Sequence, residues 1–142
     1  MKYKDKTSIA IKFYKIERFF YLHKLTFISQ IIYHLIQLIL GCTIPYSTIL
    51  EEGVNIAHFH GIVINQKAII KKGTVIYQNV TIGGDSKGAP IVGENCIIGS
   101  GAVILGKVII GDNVKIGANA VVVKDIPCNC TVVGVPARIV QK

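Results

Sequence analysis

The sequence predicts a mainly β protein: a triangular, parallel β-solenoid of about four coils over residues 43–142, preceded by a short helical segment over residues 1–42. The first observation is a six-residue beat: Ile44, Leu50, Ile56 and Ile62, then Ile64, Ile70, Ile76 and Ile82, then Val92, Ile98, Ile104, Ile110, Ile116 and Val122. All fourteen are Ile, Leu or Val, although only 28 of the 79 residues from Ile44 to Val122 are of those types, so composition does not account for the register. A period of six suits neither a helix nor an alternating strand, so each unit is a short strand plus a corner, and three units close one coil. The second observation is a small or β-branched residue four positions after the beat, as at Thr48, Val54, Thr74, Val80, Ala102, Val108, Val114 and Ala120, which suits a narrow prism interior. The third is the corner chemistry of Gly99-Ser100-Gly101, Gly111-Asp112-Asn113 and Gly117-Ala118-Asn119, flexible and polar as a sharp bend requires.

Taken in chain order, residues 1–42 form an appendage of different texture. Ile11, Phe13, Tyr14, Ile16, Phe19, Phe20 and Leu22, then Ile28, Ile31, Ile32, Leu35, Ile36 and Leu38, recur at helical spacings and predict one or two helices. Leu25 to Cys42 runs 18 residues without a charge, close to a membrane span in length, but Gln30, His34 and Gln37 interrupt it at helical spacing. A helix docked on the rod or on a neighbouring subunit is therefore expected in place of a span. The beat from Ile44 to Ile82 slips by two residues after Ile62 and stacks about two coils; the segment from Gly83 leaves the register, and Val92 to Pro127 stacks about two more at about 4.8 Å per coil.

At 142 residues and 51% hydrophobic, the chain has the core of one domain. Cys42, Cys96, Cys128 and Cys130 lack zinc-type spacing and are expected as free thiols, and no cleavable signal pattern opens the chain, so a cytoplasmic location is expected. Seven of the sixteen basic residues (Lys2, Lys4, Lys6, Lys12, Lys15, Arg18, Lys24) fall in the first 24 positions against Asp5 and Glu17, a surplus of five out of the net +8. Two readings of this basic helix stand open: a solvated face, slightly favoured, and peripheral contact with anionic lipid at the inner face of the membrane. Nucleic acid is excluded as a partner, because the aromatics fall on the apolar side and form no base-stacking platform.

Chemistry concentrates in Ile56-Ala57-His58-Phe59-His60-Gly61-Ile62-Val63-Ile64, two histidines on a corner just before the slip in the beat. With the hexads, the run Gly53-Val54-Asn55-Ile56-Ala57-His58, Val80-Thr81-Ile82-Gly83-Gly84, Ile98-Gly99-Ser100-Gly101-Ala102, Ile116-Gly117-Ala118-Asn119-Ala120 and the ending Gly134-Val135-Pro136-Ala137-Arg138-Ile139-Val140, residues from about 43 onward resemble the left-handed β-helix (hexapeptide-repeat) acyltransferases of the serine acetyltransferase-like branch. The resemblance implies a left-handed coil, against the usual crossover preference, a homotrimer with active sites between subunits, and acetyl-CoA as co-substrate. It places Ser100, Ala118, Lys124 and Arg138 at CoA-contacting positions. Lys124 and Arg138 suit phosphates, and small corner residues such as Ser100 and Ala118 let the pantetheine arm approach exposed backbone.

The resemblance makes His58 the general base for acyl transfer to an alcohol, since a hydroxyl is a poor nucleophile until a positioned imidazole takes its proton. His60 is a second candidate; at an i+4 place it points inward, orients His58 or does nothing chemical. The chain departs from the branch where Thr43 replaces the carboxylate partner of the base, where Ala57 replaces an acidic residue used toward the amino group of serine, and in the loop Gly83 to Pro90, which is short and lacks an Arg-His pair. Glu51 and Glu52 are expected to face solvent. Few fixed countercharges remain for an amino-acid zwitterion, so the sequence favours a sugar hydroxyl of a surface polysaccharide or its precursor as acceptor, with L-serine as the alternative. A non-catalytic scaffold and a γ-type carbonic anhydrase-like protein are further readings. The latter is weakened because, of His23, His34, His58 and His60, only the last two lie in the rod, so no metal site is expected.

Overall fold

The structure, a computed structural model, describes residues 8–141; Lys2, Lys4, Asp5 and Lys6 of the basic N-terminal stretch lie outside the described residues. Two helices lead the chain, α1 (Ile9–Leu22) and α2 (Thr26–Leu40). The Ser8 side chain caps α1 by accepting from the Ile11 amide at 3.4 Å, and Gly41 closes α2 at φ 61°, a left-handed conformation that suits a residue without Cβ.

The first coil holds β1 (Ile49–Leu50), β2 (Asn55–Ile56) and β3 (Val63–Ile64); the second β4 (Ile69–Ile70), β5 (Val75–Ile76) and β6 (Thr81–Gly83). The third holds β7 (Ile91–Val92), β8 (Ile97–Ile98) and β9 (Val103–Leu105), and the fourth β10 (Ile109–Ile110), β11 (Lys115–Ile116) and β12 (Val121–Val122). β13 (Thr131–Val133) adds one more parallel strand and β14 (Arg138–Gln141) folds back antiparallel on it. Three parallel sheets result, β1-β4-β7-β10, β2-β5-β8-β11-β13 with β14 at its end, and β3-β6-β9-β12.

Thirteen of the fourteen beat residues are buried, as the prism interior requires; Leu50, in the first coil, is half-buried. All eight small or β-branched positions are buried too, joined by Ala68, Cys96 and Cys130. The two threonines among them are hydrogen-bonded: Thr48 Oγ1 donates to the Asn65 carbonyl at 3.2 Å, and Thr74 Oγ1 donates to Gly93 O at 2.9 Å while accepting from Cys96 N at 3.1 Å. Corners stack as complementary pairs. Gly61 and Gly101 hold φ of 69° and 70°, and a Cβ at either would run into the side chain of Asn79 or Asn119 in the next coil, each of which also has positive φ. Cys42, Cys96 and Cys128 are free thiols.

The pairing register shows where the coil departs from eighteen residues per turn. Ile91 pairs with Ile109, the regular step, whereas Ile49 pairs with Ile69 and Ile69 with Ile91. Two extra residues enter at the His58–His60 corner and four at the loop after β6.

The helices dock on the first coil of the rod. Tyr14 Oη donates to the Thr48 carbonyl at 2.6 Å and accepts from Leu50 N at 3.3 Å, and the Arg18 guanidinium donates to the carbonyls of Tyr46 at 2.8 Å and Thr48 at 3.0 Å. No described helix is long and apolar enough to cross a membrane. Between the helices, Glu17 is 0% exposed and its carboxyl oxygens have no hydrogen-bond partner. Burial pushes its carboxyl up to about 8, so at neutral pH it is mostly protonated.

Candidate active site

One edge of the triangular rod carries most of the candidate residues. It is formed by the corners that lead from the β2-β5-β8-β11 sheet into the β3-β6-β9-β12 sheet, and it reads, coil by coil, His58 to Gly61, Gln78 and Asn79, Ser100 and Gly101, then Ala118 and Asn119. Backbone bonds of 2.9 Å tie these corners together, from Asn79 N to His60 O, Gly101 N to Gln78 O and Asn119 N to Ser100 O. At about 4.8 Å per coil, Ser100 lies roughly 10 Å and Ala118 roughly 14 Å along the edge from the level of His58. The result is a straight, rigid track with imidazoles at its upper end and small residues below.

His58 and His60 are both exposed, and among the described residues neither imidazole makes a hydrogen bond. His60 does not point inward: Ile62, two positions on, fills the interior because the corner is two residues longer than the regular one, and the His60 ring stacks on Phe59 with centroids 4.5 Å apart. His58 lies beside Tyr77, ring centroids 6.4 Å apart. Tyr77 is a neighbour the sequence reading missed, although the ladder that sets Asn55 on Val75 and Ile56 on Ile76 puts residue 77 beneath residue 57. Counting twenty residues from the slip in the beat would have found it.

Thr43 forms a parallel bridge with Val63 at the start of the rod, but its hydroxyl accepts from Gln37 Nε2 at 3.3 Å, and the same amide donates to Tyr33 Oη at 2.9 Å. Glu51 and Glu52 are exposed, and Glu51 accepts from the Lys72 amide at 3.1 Å. The one ion pair among the described residues joins Lys72 to Glu94 at 3.5 Å, so no described carboxylate pairs with His58.

Ser100 is half-buried and Ala118 exposed on the edge below the histidines. Their corners stack so closely that a Cβ on Gly99 would come within 2.7 Å of Ala118 N, so a residue without Cβ is needed there. Arg138 is exposed at the start of β14, paired with Val133, and its guanidinium donates to the Ala137 carbonyl at 3.2 Å. Lys124 stands apart: it follows β12 and occupies the next corner of the triangle, on the same edge as the loop after β6. That loop closes on itself, Asp85 Oδ1 accepting from the amides of Lys87 at 2.8 Å and Gly88 at 3.0 Å. Among the described residues no three His, Cys, Asp or Glu side chains converge to hold a metal ion.

The three-sided parallel rod with a beat of six defines the class: a left-handed β-helix of hexapeptide repeats. The family model "Bacterial transferase hexapeptide (six repeats)" matches residues 89–124, and the chain belongs to the hexapeptide-repeat family, in its serine acetyltransferase-like branch. It is 37% identical over 137 residues to a serine acetyltransferase of Synechococcus elongatus, covering 94% of this chain and 56% of that protein. Among solved structures, Neisseria gonorrhoeae serine acetyltransferase in complex with serine matches with a TM-score of 0.88 and 33% identity, covering 93% of this chain and 55% of that one. A serine acetyltransferase in complex with CoA matches with a TM-score of 0.86 and 34% identity, over 92% and 55% of the two chains. The chain thus spans little more than half the length of these relatives.

Proposed function

We propose that this chain is an acetyl-CoA-dependent O-acetyltransferase with L-serine as acceptor, His58 as general base, and the edge from Ser100 to Ala118 as the seat of the donor. The observation that carries this reading is the single straight edge joining the exposed His58 to those small-residue corners, with similarity to a CoA complex and a serine complex in support. His58 takes the proton of the acceptor hydroxyl as its oxygen attacks the thioester carbonyl; the C–S bond breaks, and the proton returns to the departing CoA sulfur. Arg138 neutralises donor phosphate, and Lys124, on the neighbouring corner, takes a more distant anionic part of the donor or a donor held by an adjacent copy. His60, stacked on Phe59, shapes the acceptor side. The working form is a homotrimer in which a neighbouring subunit completes each site and supplies the countercharge missing at Thr43 and Ala57. The free thiols of Cys42, Cys96 and Cys128 suit a reducing cytoplasm.

A second reading, a neutral sugar hydroxyl as acceptor, is favoured by one observation: Thr43 is engaged by Gln37 and, among the described residues, no carboxylate pairs with His58. The test is release of free CoA from acetyl-CoA with L-serine and with a panel of nucleotide sugars and glycan fragments. Serine-dependent release that falls by about 10² to 10⁴ in His58→Ala is expected; glycan-dependent release alone would move the acceptor to a sugar, and release unchanged in the variant would remove His58 from the mechanism.

A further inference from the structure

The helical hairpin turns outward an apolar face that the rod does not use. Phe13 and Ile16 of α1 and Leu35 and Ile39 of α2 contribute to one groove of about 160 Å³ lined only by aliphatic and aromatic side chains. Phe27 and Leu38 stand free on the same hairpin, 74% and 83% exposed. Isolated apolar residues at a surface need no explanation, but a continuous face of this kind marks a contact surface.

The charges around that face are of one sign. Lys12 and Lys15 flank Phe13 and Ile16 on the exposed arc of α1, Lys24 is exposed at the turn, and α2 carries no charge. From Ser8 to Leu50 the sole carboxylate is Glu17, fully buried and mostly protonated at neutral pH. Arg18 is engaged by the rod carbonyls. The outward face therefore presents grease and cations without a compensating anion. Two copies meeting face to face through it would set lysine against lysine, whereas acidic headgroups above acyl chains complement both components at once.

We propose that the α1–α2 hairpin docks this protein on an anionic lipid surface, Phe13, Ile16, Leu35 and Ile39 entering the headgroup–acyl boundary and Lys12, Lys15 and Lys24 pairing with lipid phosphates. The contact is interfacial, since neither described helix is long enough to span. It is independent of the acetyl-transfer reading, so the failure of one leaves the other standing.

The full chain is sedimented with vesicles of phosphatidylcholine, with and without a minority of phosphatidylglycerol, at low and high salt. Binding is expected only to the anionic vesicles and is released by salt. The triple variant Lys12→Gln, Lys15→Gln, Lys24→Gln lowers the partition on the order of 10²-fold at unchanged thermal stability and unchanged activity on soluble substrates. Phe13→Ser with Ile16→Ser, both at solvent-facing positions, also lowers it. Absence of binding, equal binding to both vesicles, or binding unaffected by the lysine variant overturns the proposal. So does concentration-dependent association of the protein, abolished by Phe13→Ser, which would assign the face to a second copy.

Discussion

The rod and the hairpin use their apolar residues in opposite ways. In the rod nearly every beat residue is sealed inside, and the threonines that enter the interior find partners. In the hairpin most of the large apolar side chains remain in contact with solvent, and the one charged residue that is buried, Glu17, finds none. The difference follows from closure. A coil that turns three times in eighteen residues has an inside of its own, and stacking supplies both packing and backbone hydrogen bonds to each new turn. Two helices laid side by side have no inside; they bury one stripe against the rod and leave the other to whatever approaches.

The sharpest way to break this contrast is to place a polar group where the rod is sealed. Ile104→Asn should lower stability by about 4 kcal/mol, read by thermal or denaturant unfolding, because a fully buried amide would lack partners and the packing of three neighbouring coils would be lost. A drop below about 1 kcal/mol would mean that the interior is wet.

Relieving the buried acid of the hairpin should act in the other direction. Glu17 binds its proton up to about pH 8 in the folded chain but only to about pH 4.5 when unfolded, so the unfolded state holds fewer protons between these values and stability falls as pH rises through that window. Glu17→Gln should flatten this fall and stabilise the protein by about 2 kcal/mol at pH 9, measured as melting temperature against pH. Its neighbours do not confuse the result, since burial raises Tyr14 and Tyr33 above the ordinary phenol value and pushes Cys42 up to about 11.

On the rod surface, Arg138→Ala should raise the KM for acetyl-CoA about tenfold with little change in kcat, because a phosphate contact remote from the thioester binds ground state and transition state alike. A loss confined to kcat would contradict the assignment. The smallest effect belongs to the outer face of the hairpin, where Leu38→Ser should change stability by no more than about 0.5 kcal/mol, the residue being 83% exposed. A larger loss would show that this face is covered in the assembled protein.

Much of the rod was legible because its rule is local. A residue six positions from the last must point inward if a strand and a corner are to repeat, and Asn or Gly must stand where the chain takes positive φ, as at Asn113, Asn119 and Gly101. The site was legible in part. His58, Ser100 and Ala118 fall on one edge because they share a place in the repeat, but Lys124, chosen by likeness to the same group, sits one corner away. His60 was open to an inward reading because the beat predicts a small interior residue there; the two added residues at that corner turn it out.

The sequence by itself determined the period, hence the triangular section, the parallel stacking, the corner chemistry and the helical character of residues 9–40, since each depends on spacings within one turn of chain. Only the tertiary structure decided that Tyr77 stands beside His58, that Gln37 of α2 engages the Thr43 hydroxyl, that Glu17 is sealed without a partner, and that Arg18 is tied to the rod. Those contacts join elements far apart in the chain or depend on the exact length of a corner, and no local spacing encodes them.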